Sequence, residues 1–163
     1  MIRSVKSTDA DALARIYNHY IQNTVVTFEE ATLSGASMAV RINGIETFGL
    51  PWLVAERGGK IIGYAYATRW KERSAYRHTV EVSAYLSCSL LSKGWGTKLY
   101  EALFAALRQS AVHIVIAGIA LPNDASVALH EKFGMKKVAH FEEVGFKQGR
   151  RVDVGYWQVC LNA

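Results

Sequence analysis

The chain has little of what marks a secreted, metal-bound or membrane-spanning protein. Cysteine occurs twice in 163 residues, at Cys88 and Cys160, and neither belongs to a C-x-x-C pair. That usage excludes a disulfide framework and a cysteine-based zinc site. Two reduced thiols in a cytoplasmic protein are the expectation. Proline also occurs only twice, at Pro51 and Pro122, each at an element boundary. No apolar run approaches the length of a membrane span. The N-terminal MIRSVKSTDADA turns acidic where a signal peptide would carry its apolar core. No repeat, low-complexity stretch or linker interrupts the chain, so one domain over residues 1–163 is expected.

The familiar nucleotide motifs are missing as well. GxxxxGK[ST] does not occur, and GxGxxG fails because Leu99 stands where its last glycine would be. The net charge of +5 comes from scattered lysines and arginines, densest in KER (71–73) and RR (150–151). Such scatter reads as a mildly basic surface, with no nucleic-acid partner, although a small polyanion would suit it. His78, His113 and His140 have no metal-ligand spacing, so no metal is expected.

What is present is a regular alternation of elements. A short strand at 2–5 precedes a helix opened by Thr8 and Asp11, spaced like a capping box, with the apolar stripe Leu13, Ile16, Tyr17, Tyr20 and Ile21. A weaker helix spans 32–47, interrupted by Gly35 and Gly44. WLVAE (52–56), RGGK and IIGYAYATR (61–69) form a hairpin, and TVEVSAYL (79–86) alternates as a strand. A helix over 95–109, a strand over 113–119 and a helix over 123–134 closed by Gly134 follow. Strands near 136–146 and 151–161 finish the chain. This order, β-α-α-β-β-β-α-β-α-β-β, implies an α/β protein with a mixed sheet and helices on its faces.

One turn carries a chemical suggestion. Between strand 79–86 and helix 95–109 lies SCSLLSKGWGT, with Gly94 and Gly96 at the helix start. The first N–H groups of a helix have no internal partner, and the helix dipole is positive there. Glycine removes the β-carbons that would hold a phosphate off the backbone, and Lys93 can add charge. The same glycines could equally serve a tight turn and close helix packing.

The context of that turn resembles the GCN5-related N-acetyltransferases. A G-x-G turn links a central strand to a helix, and a further strand leads into an N-x-x-S helix. The family's leading Gln or Arg is replaced by Leu91. Within the superfamily, NHYI (18–21), PWLVAE (51–56), GYAYATRWKERSAYRHTVE (63–81), LPNDASVALHEKFG (121–134) and GFKQGRRVDVGYWQ (145–158) resemble phosphinothricin acetyltransferases and their methionine sulfoximine and sulfone relatives.

The resemblance implies a mostly antiparallel mixed sheet with a splayed central strand pair. It implies acetyl transfer from acetyl-CoA, a cosubstrate, to the α-amino group of a small amino acid. The backbone of Tyr85, Leu86 and Ser87 would hold the pantetheine. The amides of Ser92, Lys93, Gly94, Trp95, Gly96 and Thr97 would hold the pyrophosphate, and Asn123 the pantetheine arm, with Ser126 nearby. Glu81 and His130 are the proton-transfer candidates, with the division of base and acid open. By themselves, Glu81 could be a solvent-facing strand residue and His130 a packing residue. Arg73 and Arg77 would pair an acceptor carboxylate, or form a solvated basic loop. Phe28 and Glu29 would close the pocket, and Trp70 and Tyr76 would wall it or belong to the core. His19 reads as structural. A homodimer is implied. Other acceptors (a polyamine, an aminoglycoside, a protein N-terminus) and a non-catalytic acetyl-CoA-binding module are the competing readings.

Overall fold

The computed structural model describes residues 1–91 and 93–162. Their element order is β1 (Ile2–Ser4), α1 (Ala10–Asn23), α2 (Gly35–Thr47), β2 (Trp52–Arg57), β3 (Lys60–Arg69), β4 (Thr79–Leu86), α3 (Trp95–Arg108), β5 (Ile114–Leu121), α4 (Asp124–Lys132), β6 (Lys136–Lys147) and β7 (Arg150–Cys160). The strands hydrogen-bond in one mixed sheet in the order β1-β2-β3-β4-β5-β7-β6. β4 and β5 run parallel, while β1–β2, β2–β3, β5–β7 and β6–β7 are antiparallel. The β4–β5 ladder consists of Thr79–Ile114, Val80–Val115 and Glu81–Ile116. β4 nevertheless continues to Leu86 and β5 to Leu121. Pairing between the two strands therefore stops at Glu81.

The chain divides into two compact units. The first comprises Met1–Asn18, Leu33–Thr68 and Val82–Ala111. In it α2 and α3 pack on β2, and α3 also reaches β1. Leu13, Met38, Ile42, Val54, Tyr64, Leu99, Tyr100, Leu103, Phe104 and Leu107 are its fully buried side chains of greatest volume. Each contributes about 1.5–3 kcal/mol on leaving water. The 3.6-residue spacing on α3 is why 99, 100, 103, 104 and 107 share one inward face.

The expected cap of α1 is corrected here. Ser7–Asp9 is a 3-10 turn and α1 begins at Ala10. The capping carboxylate is Asp9, which accepts the Lys6 N–H at 2.7 Å and pairs with Arg3 at 2.9 Å. Asp9 is buried, and the Arg3 guanidinium holds its carboxyl below the usual range. Asp11 is exposed and plays no such part. Helix α2 begins at Gly35, and Ser34 caps it by accepting the Ser37 N–H at 3.0 Å.

The second unit comprises His19–Thr32, Arg69–Glu81 and Val112–Ala163. Eight β5–β7 pairs run from Ile114–Cys160 to Leu121–Asp153. Val115, Ala117, Ile119, Met135, Val152 and Trp157 are buried in it. Helix α4 lies against β5, and the Trp157 Nε1–H donates to Glu131 Oε1 at 3.2 Å. Among the described residues no helix is long and apolar enough to cross a membrane.

Candidate active site

In the first unit, β4 ends in a main-chain bond from the Ser87 N–H to Ile62 O at 2.9 Å. A 3-10 turn, Cys88–Leu90, leads to Leu91, which is 48% exposed. Ser92 lies outside the described residues. Gly94 is the N-cap of α3 with φ 80°, in the left-handed region. A β-carbon there would meet nothing within 4 Å. The backbone twist, not crowding, therefore calls for glycine at this position. The Lys98 N–H closes the first helical bond on Gly94 O at 3.2 Å. The Lys98 ammonium sits 4.6 Å above the Trp95 ring. Lys93 and Gly94 are exposed, while Trp95, Gly96 and Thr97 are half-buried. Tyr85 lies edge-on to Tyr17 at 5.0 Å. The arrangement is a helix N-terminus with an exposed approach, able to hold an anion through main-chain N–H groups.

The second unit holds the proton-transfer candidates. Glu81 alternates with Val80 and Val82, which are 1% and 3% exposed. Its own side chain points to the opposite face and is half-buried. Burial pushes the Glu81 carboxyl above its usual range, opposed by the charge of Lys71. Near it stands Tyr156, a residue the sequence reading did not single out. Tyr156 faces Gly118 across the β5–β7 ladder. A β-carbon on Gly118 would lie 3.0 Å from Tyr156 Cε1 and 3.6 Å from Glu81 Oε2. Trp70 meets the Tyr156 ring edge-on at 5.7 Å, and Phe141 does so at 5.8 Å. The Lys71 ammonium lies 4.9 Å from the Trp70 ring centre. Tyr156 was within the GYWQ block, but only the register opposite Gly118 reveals its place beside Glu81.

His130 is 6% exposed. Its Nδ1–H donates to Ser126 O at 2.6 Å. Burial lowers its pKa, the main-chain bond acting against that. A neutral imidazole protonated on Nδ1 presents Nε2 as an acceptor. Asn123 caps α4, its Oδ1 accepting the Ser126 N–H at 3.2 Å. Asn123 keeps its Nδ2–H donors and the second lone pair of Oδ1.

The remaining acceptor candidates lie on two loops. Trp70 N–H donates to Thr79 O at 3.2 Å and closes the loop that carries Arg73, Tyr76 and Arg77. All three are exposed, and the Arg77 guanidinium donates to Ser74 O at 3.1 Å. Among the described residues neither arginine forms an ion pair. Tyr76, 43% exposed, is not a core residue. Phe28 packs its ring against Gly145 of β6. The Glu29 N–H donates to Thr27 Oγ1 at 3.3 Å. The loop is tied down by Lys147, 3% exposed, whose ammonium donates to Thr27 O at 2.7 Å. Lys147 also escaped the sequence reading, because a buried lysine looks like any other in a hairpin. His19 contacts only near neighbours among the bonds seen, Asn23 and Tyr20. Among the described residues no cluster of three metal-binding side chains occurs.

Residues 2–155 of this chain match the acetyltransferase (GNAT) domain, the class of acetyl-CoA-dependent N-acetyltransferases. The chain belongs to the GNAT acetyltransferase family, whose members draw on acetyl-CoA. It is 37% identical to a phosphinothricin N-acetyltransferase of Alcaligenes faecalis, over 99% of this chain and 83% of that protein. It is 32% identical to an L-methionine sulfoximine/L-methionine sulfone acetyltransferase of Salmonella typhimurium, over 99% and 94%. A crystal structure of a phosphinothricin acetyltransferase from Sinorhizobium meliloti in complex with acetyl-CoA superposes with a TM-score of 0.95 at 35% identity, covering 98% of this chain and 87% of that one.

Proposed function

We propose that this chain acts as one catalytic domain that moves the acetyl group of acetyl-CoA to the α-amino group of a small amino acid. Phosphinothricin, methionine sulfoximine and methionine sulfone are the acceptors for which relatives are named. The observation that carries this reading is Glu81: a carboxylate held half-buried on the strand where β4–β5 pairing ends.

An acceptor ammonium is not nucleophilic, so it must first give up a proton, and Glu81 takes it. The nitrogen lone pair attacks the thioester carbonyl carbon, held in place by the pantetheine along the backbone of Tyr85, Leu86 and Ser87. The nitrogen then carries a surplus proton, which His130 accepts at Nε2. As the C–S bond breaks, the imidazolium returns that proton to the departing thiolate. The balance is one amide, one free thiol and one proton left on Glu81. The pyrophosphate rests on Lys93 to Thr97, and Asn123 and Ser126 flank the pantetheine arm. Arg73 and Arg77 pair the acceptor carboxylate, while Phe28, Glu29, Trp70 and Tyr76 surround the rest of the acceptor. A homodimer through edge strand β6 fits its exposed Val138, Phe141, Val144 and Phe146. A solution mass twice 18.1 kDa checks that.

Initial rates of thiol release from acetyl-CoA test the proposal. L-phosphinothricin, L-methionine sulfoximine and L-methionine sulfone should outrun a polyamine, an aminoglycoside and a peptide N-terminus. A faster rate with any of the latter overturns the assigned acceptor class. A second reading, a non-catalytic acetyl-CoA-binding module, draws on exposed Leu91 at the usual Gln/Arg position. Calorimetric acetyl-CoA binding without thiol release for any amine would favour it.

A further inference from the structure

We propose that Tyr156 is a positioning residue for Glu81: its ring, laid across the bare backbone of Gly118, walls the carboxylate off from water and so prepares it as the base. This rests on the acetyl-transfer reading for its purpose but not for its test.

The geometry is cross-strand. Gly118 and Tyr156 are directly opposed in the β5–β7 ladder. A side chain on residue 118 would occupy space now taken by the ring, since its β-carbon would come within 3.0 Å of Cε1 and 3.3 Å of Cζ. The same point lies 3.6 Å from Glu81 Oε2. Ring and carboxylate thus share one small space, made by the missing side chain. Trp70 and Phe141 press edge-on against the ring at 76° and 81°, which holds its tilt.

The physical consequence follows from solvation. A carboxylate beside an aromatic ring loses water on that side and gains no donor from ring carbons, so its charged form is disfavoured. The charge bearing on Glu81 is Lys71, which favours the carboxylate. The titratable neighbour is the Tyr156 phenol, held above its usual range by burial and by the Glu81 charge. A less hydrated carboxylate is the stronger base toward an ammonium proton.

The test titrates Glu81 directly, by carbon NMR of its labelled carboxyl in the full chain without substrate. Tyr156→Ala should raise the proton dissociation constant of Glu81 about tenfold, moving its midpoint down. Tyr156→Phe keeps the ring and should leave the midpoint in place. An unmoved midpoint in Tyr156→Ala overturns the proposal, as does an equal displacement in Tyr156→Phe, which would assign the effect to the hydroxyl. Should Tyr156→Ala not fold, the reciprocal titration decides. In Glu81→Gln, loss of the neighbouring charge must lower the Tyr156 phenol midpoint, and an unchanged phenol sinks the pairing. Failure of acetyl transfer itself would appear separately, as no thiol release from the wild-type chain.

Discussion

The turn before α3 and the Glu81–Tyr156 cluster are built by opposite means. The turn is exposed, and its chemistry lies in the main chain: a left-handed Gly94 and helix N–H groups that face outward. The cluster is half-buried, and its chemistry lies in side chains whose protonation is set by what surrounds them. Main-chain binding sites tolerate change in side chains but not in backbone twist. Burial-tuned groups tolerate little change of either neighbour or charge. A substitution at one region should therefore alter acetyl-CoA affinity, and at the other, turnover and pH dependence.

The largest effect is expected at Glu81. Glu81→Gln should lower kcat by about 10²–10⁴-fold, the usual weight of a positioned base. Calorimetry should show acetyl-CoA affinity within twofold of wild type, about the limit of what the comparison permits. The same substitution should raise the melting temperature at pH 7, because a buried carboxylate is disfavoured when charged. Near wild-type turnover would remove Glu81 from the chemistry.

His130→Gln comes next, with a loss of about 10²-fold in kcat and a flattened limb in the pH profile. It should also alter stability against pH. The folded pKa of His130 lies below its ordinary 6.5. The unfolded chain therefore binds the proton more readily, and this contribution to stability is full above 6.5 and lost as pH falls toward the folded value. Asp9, in the first unit, is lowered from 3.8 by Arg3, so its contribution disappears only at pH below that value. Urea unfolding of wild type and His130→Gln across pH 3–7 should thus differ by a decline that begins below pH 6.5 and is lost in the variant.

Gly94→Ala probes the turn. The left-handed φ of 80° should make any β-carbon cost about 1 kcal/mol, visible as a lower urea midpoint. The kinetic loss should fall on KM for acetyl-CoA rather than on the pH profile. The smallest change is expected for Leu91→Arg, which adds a charged donor beside the main-chain site proposed for acetyl-CoA. It should lower KM for acetyl-CoA severalfold with similar turnover. A raised KM would show that this turn differs in construction from those of its relatives.

Much of the fold was legible because its signals are local. Alternation in TVEVSAYL, the apolar spacing of 99 to 107 and the G-x-G turn each depend on residues near in sequence. The order of all eleven strands and helices follows from such patterns. The cap of α1 was misplaced for a non-local reason: Arg3 and the Lys6 N–H together select Asp9 over Asp11. Glu81 and His130 stand out in their blocks as proton-transfer candidates, but their altered pKa values do not, since burial depends on the whole fold. Lys147 is comparable: its hold on Thr27, 120 positions away, leaves no mark in the hairpin sequence.

By itself, then, the sequence determined the element order, the glycine turn and the family blocks, because periodicity, turn chemistry and motif spacing act over a few residues. Only the tertiary structure decided that Gly118 and Tyr156 stand opposite each other beside Glu81. Strand register is a property of pairing between distant segments. Burial pushes the Glu81 carboxyl up, and burial is set by how these distant segments pair.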